Sequence, residues 1–483
     1  MTGLAGILIA LGLLIFLAYR GVSVLLLGPL MALLAAAFAA EPLLGLYTQV
    51  FMRSAGGFVI SFFPLFLLGA IFGRLMDDSG AAKAIAQGLV ARLGGGQAIL
   101  AVVLACAILT YGGVSLFVVA FAIYPIAASL FREADIPKRL IPATIALGAF
   151  TFTMTALPGT PAIQNAIPMP FFGTTPFAAP GLGLLAAVIM FGAGQWWLMR
   201  RAAGARARGE GYGAHDDAPR RPDKDMRERA AGEGYDVAEI AEVPVGARPL
   251  PPFALAVLPI VVVIIANLVF STYVIPAWDT GFLGEQRFGG VGLASVLGVW
   301  SIILALSLAI VVLIATNWAR LTALKRSLDD GANASVLPIF NTASLVGFGA
   351  VIAALPAFEL VRAGVLGLGG ENPLISLAVA VNVLAGITGS ASGGMSIALS
   401  TLGETYVQLG QAAGIAPEVL HRITTIATGG LDSLPHNGAV VTLLAICGLT
   451  HRQSYGDIAM VAVVFPIAAL VVTITAASLF GAF

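Results

Sequence analysis

The sequence predicts an all-α polytopic membrane protein made of two inverted-topology repeats, each with about five crossings, a re-entrant hairpin and a broken helix. Three observations carry that prediction. The chain is 59% hydrophobic and only 10% charged, against about 25% charged in soluble domains, with a mean hydropathy of +0.96. Uncharged stretches of about 17–22 residues recur, the length that crosses a hydrocarbon core of roughly 30 Å. Glycine–serine and proline–asparagine interruptions fall at matching places in the two halves.

In chain order, apolar runs fall at 3–19, 22–40, 58–76, 98–131, 139–156, 181–199, 253–272, 288–316, 335–355, 373–411, 421–447 and 457–480. The first lacks the basic start and small-residue cleavage site of a secretory signal and reads as a retained membrane helix. A polar segment at 200–252, rich in Arg, Asp, Glu, Gly and Pro, has the composition of a solvated linker. It divides the chain into a first repeat (1–199) and a second (253–483). Arg200, Arg201, Arg206 and Arg208 at its start place it on the cytoplasmic side. The amphipathic run Asn317 to Asp330 is expected along the same surface.

The runs 98–131 and 373–411 are too long for one crossing and are interrupted at Tyr111-Gly112-Gly113 and at Gly389 to Gly394. Each reads as a hairpin that enters and leaves on one side. Arg20, Arg74, Lys83, Arg92, Arg132, Lys138, Arg139, Arg320, Lys325, Arg326 and Arg452 then share the cytoplasmic face with the linker. Arg53, Arg287, Arg362 and Arg422 fall outside. An odd number of crossings per half inverts the second half, so the two hairpin tips meet near the midplane.

Candidate functional residues follow from the interruptions. Backbone freed from a helix inside lipid needs internal partners, so breaks persist where they line a polar cavity. Gly112, Gly113 and Gly394 permit close backbone approach, and helix N-termini after the tips favour an anion. Ser115, Ser390, Ser392 and Ser396 add hydroxyl donors. Tight helix packing by small residues is the competing explanation for these glycines. In the broken crossings, Pro158 and Pro161 cannot continue a helix; Thr160, Gln164, Asn165 and Asn437 offer polar side chains. Asp432 and His436, four residues apart, would share a face if helical and form a proton-carrying pair. Glu404 is the other candidate proton carrier. Glu359, Arg362, Glu371, His421 and His451 read as solvated, and no Arg or Lys is expected at the midplane. Cys106 and Cys447, in apolar runs, read as core residues, with no metal-ligand spacing. Zero net charge and the lack of a basic face argue against nucleic acid.

At Tyr111-Gly112-Gly113-Val114-Ser115, Leu157-Pro158-Gly159-Thr160-Pro161, Gly389 to Ser396 and Gly430 to Ala439 the chain resembles the gluconate permease (GntP) family of the ion transporter superfamily. The last stretch, through Cys447-Gly448-Leu449-Thr450-His451, looks most like the 3-hydroxybutyrate permease branch. The resemblance implies inverted repeats with hairpins, proton-coupled uptake of a small carboxylate such as gluconate or 3-hydroxybutyrate across a bacterial inner membrane, and a homodimer. It implies no cofactor beyond the coupling proton. Related dicarboxylate carriers mark their hairpins with Ser-Asn-Thr and use sodium; Gly-Gly-Val-Ser and Gly-Ser-Ala-Ser-Gly-Gly here depart from that pattern and leave sodium open. On this reading the substrate carboxylate lies between Ser115 and Ser390, Ser392 or Ser396, with Thr160, Asn165 and Asn437 as further donors. The rivals are a sodium-coupled (di)carboxylate symporter, a membrane serine hydrolase using Ser433, His436 and Asp432, and an ion channel. The hydrolase is weakened by a triad confined to one short stretch, the channel by the absence of a charged ring or filter.

Overall fold

The structure, a computed structural model, describes residues 2–20, 22–215, 217, 249–370 and 372–483. Most of the expected linker, and Glu371, lie outside the described residues. All regular structure among the described residues is helical. Helices α1 (Thr2–Tyr19), α2 (Val24–Phe38) and α3 (Leu43–Asp78) are followed by α4 (Ala81–Leu93). The chain bends by 108° between α4 and the next helix, α5 (Ala98–Tyr111). Then come α6 (Leu116–Glu133), α7 (Ile141–Ala149), and the short α8 (Phe152–Thr155), α9 (Ile163–Ala166) and α10 (Pro168–Phe172). The long α11 (Pro180–Ala207) ends the first half.

The second half holds α12 (Phe253–Ala277), α13 (Leu293–Asn317), α14 (Leu324–Ala354), α15 (Phe358–Gly367) and α16 (Pro373–Thr388). They are followed by α17 (Ala391–Ala412), α18 (Pro417–Thr428), α19 (Gly438–Ile446) and α20 (His451–Phe480). Among the described residues, six helices are long and apolar enough to cross a membrane: α3, α11, α12, α13, α14 and α20. Runs 3–19 and 22–40 form the single shorter helices α1 and α2, and the runs at 98–131, 139–156, 373–411 and 421–447 are each divided into two or more helices. The amphipathic run after Asn317 is mostly the first part of α14, whose remainder packs on α2, α3 and α17.

Two helix junctions position the site. Gly113 ends α5 in the left-handed region (φ 93°), with Val114 N–H donating to Leu109 O and Gly113 N–H to Thr110 O. That pattern closes a helix only with a residue tolerating positive φ. Two residues later the Ser115 carbonyl accepts from Val119 N–H, opening α6. At the second junction Gly389 (φ 62°) ends α16 and Ser390 caps α17, its Oγ accepting from Gly393 N–H at 3.0 Å. The second turn is therefore Gly389-Ser390. Gly393, Gly394 and Ser396 lie inside α17, and a Cβ on Gly394 would sit 2.2 Å from the Ala385 backbone nitrogen. Gly394 serves close packing of α17 on α16, the explanation that competed with ligand binding.

The halves interlock. The α9 turn, which closes the first break (157–165), packs on α17 and α18, and α19, after the second break (431–437), packs on α6. At the end where α11 leaves the bundle, the start of the 200–252 segment is docked rather than solvated. Buried Lys138 pairs with Asp217 at 3.2 Å, and Arg132 pairs with the same carboxylate. Asp457, 4% exposed, accepts from Arg139, Arg201 and Trp197. Glu210 receives Arg139 and Arg208, and the Arg139 hydrogen bonds hold its carboxyl down at about 2.

Candidate functional site

The α5–α6 junction and the first break line one small pocket that is partly open to its surroundings. Gly113, Val114 and Ser115 form one side and Pro161 to Gln164 the other; Leu65 and Phe66 of α3, Thr110 of α5, Leu116 of α6 and Met154 of α8 complete it. Gly113 makes this approach sterically feasible: a Cβ there would lie 2.8 Å from Pro161 Cγ. Tyr111 ties the same parts together by donating from Oη to Pro158 O at 2.6 Å.

Two buried polar atoms of this pocket have no hydrogen-bond partner in the protein, Thr110 Oγ1 and Gln164 Nε2. Their residues are 3% and 1% exposed. An unsatisfied buried donor costs about 1–3 kcal/mol, and both of these belong to residues that line the pocket. Apart from these two and Ser115 the lining is apolar, and no lining residue carries a charge. The α6 N-terminus, behind Ser115, adds the partial positive charge of a helix start. Such a pocket suits a small solute with one anionic or strongly polar end.

Several freed carbonyls of the first break find partners within the protein. Gly159 O accepts from Asn267 Nδ2 at 3.1 Å, and Thr160 O from Asn165 Nδ2 at 3.0 Å. Asn165 Nδ2 also donates to Pro176 O at 3.0 Å. Those two carbonyls orient the amide, so Oδ1 faces Arg422 Nη1 and His421 Nε2, each at 3.2 Å. His421 thus carries its proton on Nε2 and accepts at Nδ1 from Thr174 Oγ1 at 2.6 Å. Asn165 and Thr160, expected as substrate contacts, are fully and almost fully buried, and Asn165 is saturated by these structural bonds. His421, expected in solvent, and Arg422, expected on the outer side, are both 0% exposed. The reason is visible in the helix start: α18 begins at Pro417, which carries His421 and Arg422 inward in its second turn.

In the second half, Asn437 caps α19 through Val440 N–H and donates from Nδ2 to Gly389 O at 2.8 Å. It therefore joins the second break to the second junction, as Tyr111 does in the first half. Ser392 and Ser396 lie buried in the first turns of α17, the Ser396 hydroxyl donating to Ser392 O. The Asp432–His436 stretch is not helical: Leu431–Ser433 forms a single tight turn and Leu434 is extended. The two side chains do not share a helix face. His436 donates from Nε2 to Gly386 O at 3.0 Å, and Asp432 accepts from Ser433 Oγ at 3.2 Å. Glu404 is exposed on α17, bonded to Gln408. Cys106 and Cys447 are buried and free.

Gln164 was one polar side chain among several in the sequence, and Thr110 carried no signal inside an apolar run. Arg422 did carry one, a lone cation at the head of a long apolar run, legible once α18 is seen to start at Pro417.

Residues 2–173 match the model of the GntP family permeases. A Bacillus subtilis (strain 168) protein described as the uncharacterized transporter YxjC is 48% identical over 460 residues, 94% of each chain. Two solved structures share the fold. Neisseria gonorrhoeae MtrF, described within a class of antimetabolite efflux pumps, aligns with TM-score 0.54 and 13% identity over 91% of this chain and 84% of its own. The Alcanivorax borkumensis YdaH transporter aligns with TM-score 0.51 and 17% identity over 88% of each chain. A largely helical, apolar chain with a pocket at two helix breaks, and near-full-length identity of 48% to a transporter, together make this protein a membrane transporter of the GntP permease family.

Proposed function

We propose that this transporter is a proton-coupled symporter that takes up a small hydroxymonocarboxylate, such as 3-hydroxybutyrate or gluconate, across the bacterial inner membrane. The observation that carries the reading is the pocket at Gly113–Ser115 and Pro161–Gln164, whose mostly apolar lining includes two residues with buried, unpartnered hydrogen-bonding atoms. One carboxylate is met by the α6 N-terminus and the Gln164 amide, and a hydroxyl by Thr110. The absence of charged lining residues suits one negative charge better than two. Two inverted repeats are supported by the shared element order: helix, glycine turn, serine, helix, proline start, broken span. In that arrangement both junctions are re-entrant and alternate in exposing the pocket.

At the first break the carbonyls of Ala156, Pro158, Gly159 and Thr160 each accept a hydrogen bond from a protein donor, which weighs against a sodium site built from these four alone. A serine hydrolase is disfavoured as well, since the Ser433 hydroxyl turns to Asp432 and His436 Nε2 to Gly386 O. The test is uptake of radiolabelled 3-hydroxybutyrate and gluconate into vesicles under imposed pH or sodium gradients. Accumulation driven by an inward proton gradient is expected. Uptake that follows sodium and ignores pH would overturn the coupling, and no uptake of either acid would overturn the substrate class.

A further inference from the structure

Arg422 is the most unusual charge in the molecule. It is 0% exposed. Its guanidinium makes five hydrogen bonds, all to uncharged oxygens. Nε donates to Ala178 O at 2.9 Å, Nη2 to Ala178 O at 2.7 Å and Pro176 O at 3.2 Å, and Nη1 to Ala156 O and Asn165 Oδ1, each at 3.2 Å. Among the described residues no carboxylate lies within ion-pairing distance of it, whereas Arg74, Arg139, Arg201 and Arg208 each have one. Carbonyl dipoles solvate the cation but leave its net charge uncancelled, and burying an uncancelled charge is strongly unfavourable. Clamping the broken helix would not require it, because neutral amides cap carbonyls elsewhere here, as Asn267 does for Gly159 O.

The position gives the charge a use. Arg422 Nη1 is hydrogen-bonded to Asn165, and Gln164, the preceding residue, lines the pocket. Adding that bond to one side chain and one Cα–Cα step puts the guanidinium within about 10 Å of the Gln164 backbone. At that range and the effective dielectric of a protein interior, a unit charge favours an anion over a neutral solute by about tenfold or more. We propose that Arg422 is the fixed countercharge of the pocket: without touching the solute, it makes a site lined only by neutral groups select anions, and the bound carboxylate completes its charge balance. The inference rests on the carboxylate reading above and deepens it. It also assigns the two halves distinct contributions, since the first supplies the pocket's walls and the second its charge.

The test reads local potential without needing the true substrate. Full-length protein in lipid nanodiscs carries Ser115→Cys in the pocket, and modification of the introduced thiol is timed with anionic sulfonatoethyl methanethiosulfonate and with neutral methyl methanethiosulfonate. The anionic-to-neutral rate ratio is expected to fall about tenfold when Arg422→Gln is added and to be kept by Arg422→Lys. A clamp without electrostatic effect would change both rates together, and an unchanged ratio in Arg422→Gln overturns the proposal. Should Arg422→Gln fail to fold, the Ser115→Cys protein with Arg422 intact is timed with cationic trimethylammonioethyl methanethiosulfonate beside the anionic reagent; a tenfold preference for the anion over the cation, relative to their rates with a free thiol, supports the proposal and the lack of a preference overturns it. Failure of both reagents to reach the introduced thiol would refute the pocket itself, a separate failure that takes the functional reading with it. Binding of 3-hydroxybutyrate against 3-hydroxybutyramide gives the second arm: Arg422→Gln should weaken the acid about tenfold and leave the amide unchanged, and equal weakening of both would overturn the proposal.

Discussion

At the residue scale, the pocket depends on a few atoms whose removal has separable effects. Thr110 Oγ1 has no internal partner, so Thr110→Val deletes a buried donor that no other group of the protein uses. In thermal unfolding the variant should stay within about 1 kcal/mol of the parent or be slightly more stable, because removing an unsatisfied polar group is nearly neutral. Carboxylate affinity should fall about tenfold if the hydroxyl meets the solute, measured as the half-saturation of uptake. Loss of stability without loss of affinity would assign Thr110 to packing. Gly113 is constrained twice, by φ 93° and by Pro161 Cγ, which would lie 2.8 Å from a methyl group placed there. Gly113→Ala should abolish uptake, through about 1–3 kcal/mol of backbone strain and displacement of the break. Parent-like transport by that variant would show that the junction is not the site.

At the element scale, the first break is a non-helical stretch whose exposed backbone groups are satisfied from outside it. Asn165 is the hub: its amide joins Thr160 O, Pro176 O, Arg422 and His421. Asn165→Ala leaves four buried groups short of a bond, so it should cost about 3 kcal/mol or more. A melting temperature unchanged from the parent would contradict that account. The second junction makes the complementary point. The sequence pairs Gly112-Gly113-Val114-Ser115 with Gly393-Gly394-Met395-Ser396, yet the turn that closes α16 is Gly389-Ser390. A Gly-Gly-x-Ser string does not distinguish a helix end from a small-residue packing face. Positive φ and the cap bond do, and both are properties of the folded backbone.

At the scale of the whole molecule, the two halves are joined by an ion-pair network where α11 leaves the bundle. Its first carboxylate, Glu210, is held at about 2 by Arg139 and Arg208, below the ordinary 4.5 of a glutamate. A depressed folded value means the contribution is fully present above 4.5 and fades only as pH falls through about 2. Docking of the segment after α11 should therefore be indifferent to pH from about 5 to 8. Limited proteolysis between Arg208 and His215 checks this: equal protection at both ends of that range is expected, and loss of protection at the acidic end would show that another group controls docking.

The sequence by itself determined that the chain is a helical membrane protein, that its helices are interrupted at Gly112-Gly113, at Pro158–Pro161, somewhere within Gly389 to Gly394 and again before Asn437, and which family motifs it carries. Those properties follow from local chemistry: uncharged length sets the spans, and proline and glycine set where a helix ladder must fail. Only the tertiary structure decided which polar groups face the pocket and which hold the breaks together. Asn165 went inward, Thr110 and Gln164 were left unpartnered, and Arg422 arrived from the other half, 257 residues from Asn165. A hydrogen bond's partner is chosen by three-dimensional proximity, and no spacing along an apolar chain encodes which distant carbonyl a buried guanidinium will meet.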